Sequence, residues 1–224
     1  MKSLFASFKK RLQDARINKL IRKLLSIEIR IPPGIINSLT EFSHEEITYV
    51  LRETYPHLES HLQKQFLVVL EDKGYMKVIY DKLSNGSEKE ILYALEMLAF
   101  LRPFKALKFI FNKLSDNRET IRFEIAHTLI IYRNRKVVEL AVKALKQGTP
   151  YLPARLAQVL MGYGTIAVLE LVNNLNNPEI DTNLVIEILT LISNETTDEK
   201  VMECLSANSE AIVKAQINKR ISKV

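Results

Sequence analysis

The stretch Asp116–Leu145, DNRETIRFEIAHTLIIYRNRKVVELAVKAL, decides the fold. It leads out of a polar turn, Ser115-Asp116-Asn117, whose side chains bond nearby backbone groups and so favour turns and helix caps. Ile121, Ile125, Ala126 and Leu129 then recur at spacings of three and four, the period of one helix face. A break at Tyr132–Arg135 separates them from a second apolar run, Val137 to Leu145. The stretch reads as two helices that cannot bury their apolar sides alone and need a neighbour on each flank.

Those neighbours are present. Leu83, Leu114, Leu145, Leu175 and Leu205 each close a similar segment, at intervals of 31, 31, 30 and 30 residues. Leu98, Leu129 and Leu160 lie 15 residues beyond their marker leucines, and Ala126 and Ala157 lie 12 beyond. A small residue at one fixed place lets helices approach closely, while the leucine fills the space between layers. In the fourth unit the register slips by one and Leu189 takes that role. Turns are expected at Ser84-Asn85-Gly86-Ser87, Gln147-Gly148-Thr149-Pro150, Asn176-Asn177-Pro178 and Ser206-Ala207-Asn208-Ser209, and mid-unit breaks at Arg102-Pro103, Gly162-Tyr163-Gly164 and Asn194–Thr197. Pro103 suits the first turn of a helix, and Gly162 or Gly164 suits a left-handed helix end.

The expected fold class is all-α, an α-α superhelix of antiparallel helix pairs with repeats at about 52–83, 84–114, 115–145, 146–175 and 176–205 and a C-terminal cap at 206–224. Upstream, Gly34–Leu39, Ser43–Tyr55, Pro56–Asp72 and Tyr75–Leu83 read as looser helices. Pro32-Pro33 is the candidate hinge between this region and a separate N-terminal helix at 1–31, so the array is drawn over 32–224.

Composition agrees with a folded helical chain: 224 residues, 47% apolar, 26% charged, six Gly and seven Pro. One cysteine, Cys204, excludes an intramolecular disulfide framework and fits a cytoplasmic location. Apolar runs such as Phe66–Leu70 fall far short of the roughly 20 residues that span a bilayer. The net charge of +6 is unevenly placed, because residues 1–30 hold nine Lys and Arg against Asp14 and Glu28, a local +7.

On these residues the stretch Asp116–Leu145, with Ile121-Arg122 opening its first helix, resembles a HEAT repeat of the bacterial type. Leu152-Pro153-Ala154-Arg155 through Leu160, then Ala167–Leu175, resembles the next copy. The resemblance covers about residues 75–224 and implies a HEAT-like right-handed solenoid whose second helices line the concave side. It would place Lys105, Lys108, Arg135, Lys136 and Lys143 there as a candidate partner-binding set. Against a basic groove stand Glu139 and Glu170, which share one repeat offset.

Chemistry has little support. His57 and His61 are four apart on an expected helix, yet Leu58 rather than Glu follows His57 and no third ligand is apparent, so they read as a surface pair. His44 is placed near a helix start, His127 beside the core position Ala126, and Cys204 as a small buried side chain. Phe100, Phe104, Phe109 and Phe111 read as core of a packed helix pair. Phosphate loops, dinucleotide fingerprints and nucleophile elbows are absent from the sequence, and no catalytic residue, metal ligand or cofactor is assigned.

The N-terminal segment carries an apolar stripe, Leu4, Phe5, Phe8, Leu12 and Ala15, continued by Ile17, Leu20, Ile21 and Leu24. Lys9, Lys10, Arg11, Arg16, Lys19, Arg22 and Lys23 crowd its other faces as a candidate anionic-surface set. Two readings stay open: a helix at an anionic membrane surface, at the inner face of the membrane, or a cap whose soluble side is basic. The expectation is a non-enzymatic scaffold or adaptor for a protein partner; the alternative is nucleic-acid binding through a basic concave groove.

Overall fold

The computed structural model describes residues 2–145 and 152–221, with side chains at 13–145 and 154–215. The expected turn at 147–150 and the side chains of Leu4, Phe5, Phe8, Lys9, Lys10, Arg11 and Leu12 lie outside the described residues. Among the described residues the chain is all α, without a strand. It divides into two compact units, Met1–Ile79 and Tyr80–Val224.

The first unit holds α1 (Lys2–Leu25), α2 (Pro33–Leu39), α3 (His44–Thr54) and α4 (Ser60–Asp72), and its boundary falls within α5 (Tyr75–Asn85). Pro33 occupies the first position of α2, where its missing N–H costs nothing. α3 starts at a capping box: the Glu46 N–H donates to Ser43 Oγ at 3.3 Å and the Ser43 N–H returns a bond to the Glu46 carboxylate at 2.7 Å. That bond, ahead of those from Gln13 and Ser43 Oγ, holds the Glu46 carboxyl below its usual range. α1 packs on α2 and α3 through Ile17, Leu20 and Leu24, all buried.

The second unit continues with α6 (Glu88–Leu101), α7 (Ala106–Asn112), α8 (Glu119–Ile131), α9 (Arg135–Ala144), α10 (Leu152–Met161), α11 (Thr165–Asn173), α12 (Thr182–Glu195), α13 (Glu199–Ala207) and α14 (Ser209–Ile221). Its contacts follow alternate helices. α8 packs on α6 and α10, α10 on α12 and α12 on α14, while α9 packs on α11 and α11 on α13. All five marker leucines are buried, as are Leu98, Leu129, Leu160, Leu189, Ala126 and Ala157.

Backbone geometry adds a regularity of its own. Arg102, Arg133 and Gly164 have positive φ of 50°, 49° and 56°, each 31 residues from the last, and each ends the first helix of its unit. Gly164, at ψ −129°, reaches positive φ freely, whereas Arg102, at ψ 45°, sits in the left-handed helical region at a cost of about 1 kcal/mol. Buried tyrosines repeat beside them: Tyr132 Oη donates to the Pro103 carbonyl at 3.3 Å, and Tyr163 Oη to the Leu129 carbonyl at 2.8 Å. The Asn134 N–H donates to Tyr163 Oη at 3.3 Å, and Asn134 in turn caps α9 through a 2.9 Å bond from the Lys136 N–H. Burial raises the Tyr163 pKa above its ordinary value.

Between α7 and α8 the chain is fixed by charge. Asp116, with a side chain 7% exposed, accepts from Arg118 at 2.8 and 2.9 Å and lies 3.7 Å from Lys113. The Arg118 hydrogen bond lowers the Asp116 pKa to about 2. Arg122, almost wholly buried, donates to the carbonyls of Asp116 and Asn117 at 2.8 Å, so the Ile121-Arg122 pair ties its helix to the preceding turn.

Candidate binding surfaces

The five candidate cations fall on α7 and α9, where they meet different surroundings. Ala106, Leu107 and Ile110 form the buried side of α7. This leaves Lys105 and Lys108 exposed, and among the described residues neither has an ion-pair or hydrogen-bond partner. Val137, Val138, Ala141 and Val142 form the buried side of α9. There Lys136 Nζ donates to Glu139 at 2.7 Å, and Arg135 lies 4.0 Å from Glu139 and 3.7 Å from Glu170 on α11. The Lys136 hydrogen bond holds the Glu139 carboxyl below its usual range, with further pull from Arg135 and Lys143. A uniformly basic groove is therefore not formed: Arg135 and Lys136 are paired with the two glutamates that share a repeat offset, and Lys143 is exposed on the far turn of α9.

Two aromatic assignments need correction. Phe104 is 61% and Phe109 38% exposed, and only Phe100 and Phe111 are half-buried. α7 begins at Ala106, so Phe104 precedes it, and with Ala106, Leu107 and Ile110 turned inward Phe109 falls on the outer side. There its ring stacks on Tyr80, centroids 4.7 Å apart and planes at 7°. Two phenyl rings thus flank two unpaired lysines. A sequence signal for this patch exists: residues 97–115 contain Arg102, Lys105, Lys108 and Lys113 but no Asp or Glu. Further apolar side chains stand exposed on α11 and α13, namely Ile166, Leu169 and Met202.

On α1, Lys19, Arg22 and Lys23 are exposed and, among the described residues, have no side-chain partner. Arg16 is committed to Glu41 and lies 5.6 Å from the Phe42 ring centre. Gln13 bonds Glu46. Of the described part of the apolar stripe, Ile17, Leu20 and Leu24 are buried in the first unit, Ile21 is half-buried and Ala15 is exposed. Among the described residues no helix is long and apolar enough to cross a membrane.

The histidine pair does not share a helix. Tyr55–His57 is a short 3-10 turn, Leu58 is extended and buried, and α4 starts at Ser60, so His57 and His61 belong to different elements. His61 Nε2 lies 3.1 Å from the Glu28 carbonyl and Nδ1 3.8 Å from Glu59. His44 opens α3 and stacks on Tyr75 with centroids 4.2 Å apart. His127 points outward beside Glu124 at 3.5 Å, since Ile125, Ala126 and Leu129 take the inward side of α8. Among the described residues no group of three or more His, Cys, Asp or Glu is arranged to hold a metal. Cys204 is partly exposed rather than buried, because Val201 and Leu205 fill the inward side of α13. Asn208 Nδ2 donates to its carbonyl at 2.7 Å.

No family model, curated protein or solved structure matches the chain.

Proposed function

We propose that the chain is a HEAT-like right-handed solenoid that serves as a non-enzymatic scaffold for a protein partner. The alternation of helix contacts in the second unit supports the solenoid, and so does the 31-residue recurrence of the positive-φ positions. One observation carries the scaffold reading: Phe104 just before α7, Phe109 on it, Ile166 and Leu169 on α11 and Met202 on α13 are exposed at the second helices of three repeats, with Phe104 and Ile166 at the same repeat position. Burying one such side chain is worth about 1.5–3 kcal/mol, so several large apolar residues left in water on second helices favour a partner that covers them. Affinity purification of the tagged chain, beside a variant with Phe104→Ser, Ile166→Ser and Met202→Ser, tests this. A protein recovered in stoichiometric amount by the wild type and lost by the folded variant supports the reading; no such protein, or an unchanged one, counts against it.

The N-terminal cations add an anionic-surface contact to this proposal, with the scaffold peripheral to the inner face of the membrane. Ile17, Leu20 and Leu24 are spent on packing, so Lys19, Arg22 and Lys23 would act by charge, at about 1 kcal/mol each near anionic lipid. Flotation with phosphatidylserine vesicles that is lost on Lys19→Gln, Arg22→Gln and Lys23→Gln supports it, and equal flotation of both forms removes it. The nucleic-acid alternative keeps only Lys105, Lys108 and Lys143, because Arg135 and Lys136 are occupied by glutamates. Few phosphate contacts mean weak, shallowly salt-dependent binding, which a duplex DNA titration at two salt concentrations measures.

A further inference from the structure

We infer that the outer face of α7, made by Phe104, Lys105, Lys108 and Phe109, docks an acidic segment of a partner protein that carries apolar side chains. This deepens the scaffold reading and rests on it. Three observations converge on the face. The phenyl rings are exposed, Phe109 on and Phe104 just before a short helix whose apolar demand is already met by Ala106, Leu107 and Ile110. The lysines between the rings lack partners among the described residues. No carboxylate occurs on the chain from residue 97 to residue 115, so every charge along this stretch is positive.

Charge complementarity then requires an anionic occupant, and the rings decide which kind. A single strand of nucleic acid would use ring faces for stacking. One face of Phe109 is taken by Tyr80, and two lysines neutralise few phosphates. A peptide needs only apolar contact with ring edges and the open face of Phe104, with its carboxylates set toward Lys105 and Lys108. Aromatic anchors with a charged rim are the usual arrangement of a protein interface. The cognate place on α9 offers no such site, since Arg135 and Lys136 are already paired and Arg135 stands where Phe104 does in the repeat.

The probe is a short fluorescein-labelled peptide of Glu and Asp with Leu at alternating three- and four-residue spacing, followed by fluorescence anisotropy against the full chain. Wild-type protein binds it, and affinity falls about tenfold or more in Phe104→Ser/Phe109→Ser and again in Lys105→Gln/Lys108→Gln. Arg135→Gln leaves it unchanged within about twofold, as expected for a cation already committed to glutamates. Circular dichroism melts of each variant keep a folding defect from passing as a binding defect.

Absence of binding to wild type, equal binding by the α7 variants, or equal binding of a peptide with Leu replaced by Ser each overturns the proposal. Tighter binding of oligothymidine, lost in the same variants, replaces it with nucleic acid. A co-purifying protein that survives the α7 substitutions but not Ile166→Ser/Met202→Ser overturns the α7 assignment while leaving the scaffold intact; no co-purifying protein at all removes the scaffold itself.

Discussion

α7 and α9 occupy the same place in successive repeats, follow a positive-φ arginine in each case, and bury similar apolar sides, yet they present opposite surfaces. α9 sets Arg135 and Lys136 against Glu139 and Glu170, so its N-terminal half has its cations paired. α7 keeps Lys105 and Lys108 unpaired between two exposed rings. Repetition therefore fixes the frame while substitutions on the outer positions decide which units are open to a partner. Exposed ion pairs contribute about 0–1 kcal/mol to stability, so the difference matters more for what each face attracts than for how well the chain folds.

The largest expected effect concerns the one lysine of this region that does have a carboxylate. Asp116, held by Arg118 and Lys113, has its pKa depressed from 3.8 to about 2. Its contribution is therefore fully present above pH 3.8 and is lost as pH falls through about 2. Asp116→Asn should cost about 2 kcal/mol in chemical denaturation at neutral pH, with the gap from wild type closing at the acid end. A pH-independent gap would show that the turn between α7 and α8 is not held by this charge.

The approach to α9 should be tied more firmly than the approach to α7. Tyr163→Phe removes a 2.8 Å bond to the Leu129 carbonyl and the acceptor of the Asn134 N–H, at about 1 kcal/mol. Tyr132→Phe removes a 3.3 Å bond to the Pro103 carbonyl and should cost less. Paired melts of the two variants rank them, and the reverse order would break the comparison.

Smaller still is the stability change from Glu139→Gln with Glu170→Gln, about 0.5 kcal/mol or less, but it should convert α9 into a second, salt-sensitive site for the acidic peptide. If α9 stays inert in anisotropy, the pairing of its cations is not what distinguishes it from α7. Lys105→Gln with Lys108→Gln should move the melting midpoint least, within about 0.5 kcal/mol, since neither side chain has a partner among the described residues.

Much of the fold was legible because helical periodicity is a local property. The marker leucines, the leucines 15 residues beyond them and the small residues at Ala126 and Ala157 are buried, and the breaks at Arg102-Pro103 and Tyr132–Arg135 are where helices end. The positive-φ rhythm was half visible: Gly164 announces a positive φ, whereas nothing in the side chains of Arg102 and Arg133 does. Surfaces were less legible because they depend on contacts between helices. Glu170 quenches Arg135 across α9 and α11, 35 positions apart in sequence, and only the shared offset of the glutamates hinted at it. Phe104 and Phe109 read as core because aromatic residues at helical spacing usually are, and a helix as short as α7 has room for three inward side chains. His57 and His61 were separated by a buried Leu58 in extended conformation, which spacing alone does not reveal.

Mapping of the acidic peptide by backbone amide shifts in an isotopically labelled chain tests the central contrast most directly. Changes are expected to centre on Phe104–Phe109 and the stacked Tyr80, with Arg135–Lys143 of α9 unmoved. Shifts centred on α9, or spread evenly over both helices, would contradict that contrast.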